Sequence, residues 1–270
     1  MCLAIAVAAA LLVPAAAAHA ATSVSSNWAG YVVTPKTSAT KLKTVSGTWT
    51  VPSGDCSSGL PGYSATWVGI GGYSSSSKAL EQTGTEFDCS AGTARYSAWY
   101  ELVPDVGHDI NIPVNAGDTI DAAVTVNGTR VRLYLRNRTR GSVFRRTFTM
   151  RAPDTTSAEW IVEAPSSCDS AGHCVQLPIS NFGTQSFIHA AATSARGTRG
   201  SISSGRWSNT KVTLSQGGTH PYAQLVSQGG AEPSELSADG ASFSVSYTEQ
   251  APPTETPPPM LAPGAGGPWQ

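Results

Sequence analysis

Ile120-Asp121-Ala122-Ala123-Val124-Thr125-Val126-Asn127-Gly128-Thr129-Arg130-Val131-Arg132-Leu133-Tyr134-Leu135 reads as two strands joined by a turn. Residues of the two runs alternate faces, and Asn127-Gly128 between them favours the tight turn of a β-hairpin. The same alternation recurs in Val45 to Val51, Tyr96 to Val103 and Phe243 to Tyr247. β-branched and aromatic residues are frequent in these runs, and clusters of Gly, Pro, Asn or Ser separate them. No convincing amphipathic helix longer than two turns is found. A chain with this many short strands is expected to be all-β, a sandwich of two antiparallel sheets.

The ends differ from the middle. Met1 to Ala18 carries no charged side chain, Leu3 to Leu12 is apolar, and Ala18-His19-Ala20 offers the small residues that a signal peptidase reads. That run is too short to span a bilayer, so residues 1–20 are expected to be a cleaved export signal. Residues 251–270 hold seven prolines and no periodicity, the mark of a disordered tail. One β-domain is expected over residues 21–250, which is long enough for a substantial core.

Cysteine usage fits a secreted, extracellular protein. Cys2 would leave with the signal; Cys56, Cys89, Cys168 and Cys174 remain. An even number suggests two disulfides, with three connectivities open. The sequential pairs, Cys56–Cys89 and Cys168–Cys174, are the expected ones. No Cys-x-x-Cys pair points to zinc, and neither a metal nor another cofactor is expected.

Charged residues make up 13% of the chain, against roughly 25% in an average soluble protein. The formal net charge is −1, so no whole-molecule field directs the protein to nucleic acid. No stretch after the leader is apolar enough to cross a membrane, and a monomer is expected. One region stands apart, because Arg130 to Arg151 contains eight arginines and no acidic residue. Arg130, Arg132 and Arg136 share a strand face with Tyr134 between them. Such a face either binds an anionic polymer or acidic peptide, or is a solvated face whose charges discourage edge pairing.

Several hydrolase chemistries are missing. There is no His-Glu-x-x-His and no Gly-x-Ser-x-Gly, which counts against metalloprotease and α/β-hydrolase readings. His108, His173, His189 and His220 sit in no recognisable catalytic context. What stands out is a series of short segments rich in Trp, Gln and Glu. They are Ser26-Asn27-Trp28-Ala29-Gly30-Tyr31, Trp67-Val68-Gly69-Ile70-Gly71-Gly72, Glu81-Gln82-Thr83-Gly84, Tyr96-Ser97-Ala98-Trp99-Tyr100-Glu101 and Ala158-Glu159-Trp160-Ile161-Val162-Glu163.

In this order and with these gaps, from Ser26 to Tyr247, the segments resemble the glutamic peptidase (eqolisin) family. The resemblance implies a concanavalin-like sandwich whose concave sheet binds an extended peptide. It implies that Gln82, in the Gln-Thr-Gly segment, and Glu163, closing the Glu-Trp-Ile-x-Glu strand, form the catalytic pair. It also implies that Trp28, Trp99 and Glu101 line the substrate cleft, and that Cys168 and Cys174 fall where the family has a short disulfide loop. The substrates implied are polypeptides.

The chemistry is consistent with those residue types. Amide hydrolysis needs a base for water, a donor for the oxyanion and an acid for the leaving nitrogen; one carboxylate can be base and then acid. A glutamine amide donates a hydrogen bond at any pH, and losing one such donor typically costs about 2.7–4 kcal/mol of barrier. Strand periodicity alone leaves two candidates. Glu159 and Glu163 share a face, about 13 Å apart along the strand, and only the resemblance favours Glu163.

Three features depart from the family pattern. Gly71 and Ser97 stand where aspartates are expected, and twelve arginines with five lysines are many for an acid-adapted enzyme. The expected activity is therefore endopeptidase action at acidic to mildly acidic pH. The rival reading is a carbohydrate- or cell-surface-binding module without catalysis, since fold does not fix function; a secreted inhibitor or structural protein comes third.

Overall fold

The structure is a computed structural model that describes residues 20–37, 39–168, 174–215 and 229–249. The expected export signal (save Ala20) and the C-terminal tail lie outside the described residues, as do His173 and His220. Every regular element among the described residues is a strand. In chain order, the first six are β1 (Ala21–Ser25), β2 (Trp28–Pro35), β3 (Leu42–Thr50), β4 (Gly62–Gly71), β5 (Leu80–Ser90) and β6 (Thr93–Val103). Next come β7 (His108–Ile110), β8 (Thr119–Asn127), β9 (Arg130–Asn137), β10 (Ser142–Thr149), β11 (Ala158–Glu163) and β12 (Ser166–Cys168). The last six are β13 (Cys174–Gln176), β14 (Thr184–Ser194), β15 (Arg199–Ser201), β16 (Trp207–Ser215), β17 (Gly229–Pro233) and β18 (Phe243–Glu249).

The hairpin read from Asn127-Gly128 forms as expected. Asn127 lies opposite Arg130, and Gly128 takes the positive φ of +59° that such a turn requires. In the two arms, Ile120, Ala122, Val124, Val126, Val131, Leu133 and Leu135 are buried. Their neighbours point outward, which is the two-residue period of a half-buried sheet.

The sandwich is one continuous path of hydrogen-bonded strands that folds over on itself. Its order is β10-β9-β8-β3-β14-β18-β17-β16-β2-β11-β4-β5-β6-β7. β14, β18 and β17 carry the path from one layer to the other, and β4 and β5 pack over β8. All pairs on this path are antiparallel; β1 is added to β16 in parallel. The small β12–β13 ribbon stands apart and sets Cys168 opposite Cys174.

Polar ties fix the layers as well as apolar burial does. Trp160, fully buried, donates from Nε1 to the Ser46 carbonyl of the facing layer at 2.8 Å. Trp49 donates from Nε1 to Thr85 Oγ1 at 3.0 Å in the opposite sense. Tyr100 stacks on Phe144, with ring centroids 5.6 Å apart, and so pins β6 to β10. An indole buried without such a partner would lose about 1–3 kcal/mol.

Cys56 and Cys89 form a disulfide with Cα atoms 5.3 Å apart, closing a loop 33 residues long in sequence separation. Cys174 is also disulfide-bonded, while the side chain of Cys168 lies outside the described residues. Replacing Cys56 and Cys89 together by Ala should cost roughly 2–4 kcal/mol. In a domain of this size that corresponds to a drop of about 4–16 °C in Tm. An unchanged calorimetric midpoint would show that packing alone holds this loop.

Candidate active site

The alternation that fills the core leaves the other face of β2, β11, β4, β5 and β6 for a site. Ala29, Tyr31, Val68, Phe87, Ala98, Tyr100, Trp160 and Val162 point into the core. Val32, Ala65, Trp67, Leu80, Trp99 and Ile161 form a second apolar cluster on the opposite face. The strand registers arrange that face in three rows. Trp28, Glu163, Ala65, Glu86 and Ser97 make the first; Gly30, Ile161, Trp67, Gly84, Trp99 and Asp109 the second; Val32, Glu159, Gly69, Gln82 and Glu101 the third.

Glu163 and Gln82 thus lie on opposite sides of the middle row, two strands apart across the sheet and four residues apart along it, or roughly 10 Å by 13 Å in the sheet plane. Trp67 of the intervening strand rises between them. Gly84 beside it has no room for a side chain, since a Cβ there would lie 2.1 Å from the Thr66 carbonyl oxygen. Only glycine fits so close an approach, and Trp67 and Trp99 pack in one apolar cluster around it.

Each candidate is held by its neighbours. Trp67 donates from Nε1 to Glu163 Oε2 at 2.8 Å, and Asn27 donates from Nδ2 to Glu163 Oε1 at 3.0 Å. The Trp28 indole packs edge-on against Trp67, centroids 5.1 Å apart. Its N–H acts on Glu163 electrostatically but stops short of a formed hydrogen bond. Glu163 keeps part of its surface accessible, yet its carboxyl is screened from water by the indoles. Loss of hydration pushes its pKa up to about 7, with the Trp67, Trp28 and Asn27 donors pulling the other way and the charge of Glu101 adding to the rise.

Gln82 is buried and donates from Nε2 to Glu101 Oε2 at 2.6 Å. That bond uses one of the two amide hydrogens and orients the group, leaving the second free to donate. Burial raises the pKa of Glu101, while the Gln82 hydrogen bond and His108 act against the rise. Five buried side-chain polar atoms on this face have no partner among the described residues: Gln82 Oε1, Trp28 Nε1, Trp99 Nε1 and both carboxyl oxygens of Glu159. Buried groups are rarely left so, and the Gln82 oxygen and the two indole N–H groups are of the acceptor and donor types that a polypeptide backbone can meet.

Glu159 separates from Glu163 here. It is fully buried with neither carboxyl oxygen hydrogen-bonded, and burial raises its pKa well above the ordinary value. Burial therefore favours its neutral form, and it is set away from the Trp67–Asn27 donors.

The two positions that lack an expected aspartate each have a carboxylate beside them. At Gly71, with φ +86°, a Cβ would lie 2.6 Å from Asp154 Cβ. Asp154 fills that space, accepting from Ser77 Oγ at 2.5 Å and from the Thr156 N–H at 2.8 Å. Burial would raise its pKa, but these bonds outweigh burial and hold it low. Ser97 donates to Glu86 Oε2 at 3.1 Å, in the row of Glu163. Sequence reasoning gave no role to Asn27, Trp67 or Asp154. The first two lie inside segments it singled out, but their contacts with Glu163 depend on cross-strand register.

Beside Asn27 and Trp28 a cavity of about 580 Å³ opens, walled by Ser23 and Val24 of β1, Tyr73 and Val212. Among the described residues, no group of three or more His, Cys, Asp or Glu side chains is placed to hold a metal ion.

Residues 26–231 match the Peptidase A4 family. The chain belongs to this family of glutamic endopeptidases. It is 34% identical over 201 residues to aspergillopepsin-2 of Aspergillus niger, covering 65% of this chain and 67% of that protein. The fold is similar to that of scytalido-glutamic peptidase bound to a transition-state analogue inhibitor, at a TM-score of 0.65 and 28% identity. That match covers 83% of this chain and 98% of the other. Aspergilloglutamic peptidase from Aspergillus niger is similar at a TM-score of 0.56 and 30% identity, covering 69% and 99%. Membership makes the chain a hydrolase of polypeptides.

The buried carboxyls carry a consequence for stability. Burial raises Glu81 from 4.5 to about 8 and Asp88 from 3.8 to about 7, and Glu159 and Glu163 move the same way. Between the ordinary and the raised values the folded chain holds protons that the unfolded chain has released. Stability therefore falls as pH rises through that window. The lowered Asp118 and Asp154 oppose this only under strongly acidic conditions. Tm is expected to peak near about pH 4–5 and to decline toward pH 8, with Glu81→Gln flattening the decline. A melting series that rises steadily from pH 4 to pH 8 would contradict it.

Proposed function

We propose that Glu163 is the general base and acid of this endopeptidase and that Gln82 is its oxyanion donor. The observation that carries this reading is the setting of Glu163: a desolvated carboxyl gripped by Trp67 and Asn27, on the same open face as an oriented, half-satisfied amide. Ionised Glu163 takes a proton from water as the water oxygen bonds to the scissile carbonyl carbon. The oxyanion so formed receives the free Nε2–H of Gln82. Glu163 then returns the proton to the amide nitrogen as the carbon–nitrogen bond breaks. Glu101 acts as a positioning residue that aims the Gln82 amide. Trp28 and Trp99 line the cleft, and their unpartnered N–H groups suit the carbonyls of an extended polypeptide.

Since the base must start ionised, activity of the free enzyme toward substrate should fall below a pH set by Glu163. A pKa of about 7 centres that limb near neutral pH, so activity is greatest around neutrality, persists in part through the mildly acidic range and is lost at strongly acidic pH. The protein is further proposed to be a secreted monomer, with residues 1–20 removed and one catalytic domain over residues 21–250. A binding module without catalysis would have no use for a carboxyl raised by desolvation beneath indole donors.

Kinetics with a quenched fluorescent peptide test the assignment. Glu163→Gln should abolish turnover, Gln82→Ala should lose on the order of 10²-fold or more in kcat, and Glu159→Gln should keep most activity. A dead Glu159→Gln beside an active Glu163→Gln would overturn the assignment. Wild-type kcat/KM should decline from pH 6 to pH 3; a maximum at pH 3 would contradict the role given to desolvation.

A further inference from the structure

The outer face of the other layer carries a feature that peptide hydrolysis does not use. β8, β9 and β10 lie side by side with their inward residues in the core. On the outward side, β8 offers Asp121 toward one end and, along the middle, the small Ala123 and Thr125. Around them stand exposed Arg130, Arg132 and Arg136 of β9 and Arg145 of β10, with Lys43 of β3 at one end. The result is a furrow of two adjoining hollows. One, of about 250 Å³, lies among Ala123, Thr125, Arg132, Tyr134 and Arg145. The other, of about 330 Å³, includes Lys43, Thr125, Arg130, Arg132 and Thr147. Arg132 and Thr125 belong to both.

Three observations separate this furrow from an ordinary solvated strand face. First, among the described residues none of Arg130, Arg132, Arg136 and Arg145 is paired with a carboxylate. Asp121, opposite Arg136 in the register, accepts from Arg138 at 2.5 Å and from Thr48 at 2.7 Å. Asp118 is buried against Arg140. Second, Arg145 lies over the Tyr134 ring at 5.1 Å, which holds its guanidinium in place without neutralising it. Third, positive charge is gathered here although the net formal charge is −1. The carboxyls Glu86, Glu101, Asp109 and Glu163 are on the cleft sheet of the other layer.

We propose that this furrow binds a linear sulfated polysaccharide, anchoring the enzyme while its cleft on the opposite layer stays open. Guanidinium forks match tetrahedral oxyanions in bidentate fashion, and successive outward arginines on a strand stand about 7 Å apart. Thr125, Asn127 and Thr147 supply hydrogen-bonding groups for sugar hydroxyls. In the mildly acidic range through which activity persists in part, a sulfate ester keeps its charge, whereas the side chains of an acidic peptide begin to protonate toward their pKa of about 4. A single-stranded nucleic acid is held in part by stacking its bases on open aromatic faces, and Arg145 covers that of Tyr134.

Binding of the mature protein to dextran sulfate, uncharged dextran, polyglutamate and single-stranded DNA tests this at pH 5 over a salt series. The wild type should bind dextran sulfate and not dextran, with log K falling linearly against log salt. The Arg130→Ala, Arg132→Ala, Arg145→Ala triple variant should keep its Tm and its peptide turnover. It should bind at least about tenfold more weakly, with the slope reduced by roughly one per arginine removed. Lysines at the same three positions should restore most of the slope. Absence of wild-type binding at low salt, equal binding by the alanine variant, or tighter binding of polyglutamate or DNA than of dextran sulfate would each overturn the proposal.

Discussion

Because strand side chains alternate faces, a slip of one residue between β11 and β4 would carry Trp160 out of the core and turn Glu163 into it. The register is held by what is buried. Trp160 reaches Ser46 across the sandwich, Trp49 reaches Thr85, and Tyr31, Val68 and Val162 fill the space between. Once that face is fixed inward, the complementary face of β2, β11, β4, β5 and β6 has no freedom left. Trp28, Trp67, Trp99, Gln82, Glu101 and Glu163 are set where they are by packing on the far side of their own backbone.

The electrostatics of the cleft follow from the same geometry. Indoles placed over a sheet remove water from the carboxyls between them, and desolvation is the first cause of the shifts in Glu163, Glu101 and Glu86. The donors that hold Glu163 resist this without cancelling it. The result is a carboxyl that can exist in both protonation states at mild pH, which a base that later serves as an acid requires. Asp154 shows the contrary balance. More exposed and richer in donors, it stays ionised beside Gly71.

Much of this was legible in the sequence, for reasons that differ by element. The β8–β9 hairpin declared itself because Asn127-Gly128 is a local signal for a local turn. The outward arginines of β9 followed from the two-residue period, as did the shared face of Ser97, Trp99 and Glu101. The Cys56–Cys89 bond was expected and is present. Glu159 and Glu163 could not be told apart by period, since both face the same way; burial and donors distinguish them. The roles of Asn27 and Trp67 were hidden because each acts across strands distant in sequence, Asn27 on a residue 136 positions away. Asp154 was missed for a related reason. It comes from a loop, and only the fold brings it against Gly71.

The central claim is that indole-driven desolvation, opposed by the Trp67 hydrogen bond, sets the ionisation of Glu163. It is tested most directly by titrating Glu163 itself, by isotope-edited infrared or carboxyl NMR spectroscopy, in the wild type and in Trp67→Phe. The account predicts half-ionisation at about pH 7 in the wild type. It predicts a still higher value in the variant, where the ring keeps water out but the donor is gone. Titration at the ordinary value of 4.5, or no movement on losing the indole N–H, would contradict it.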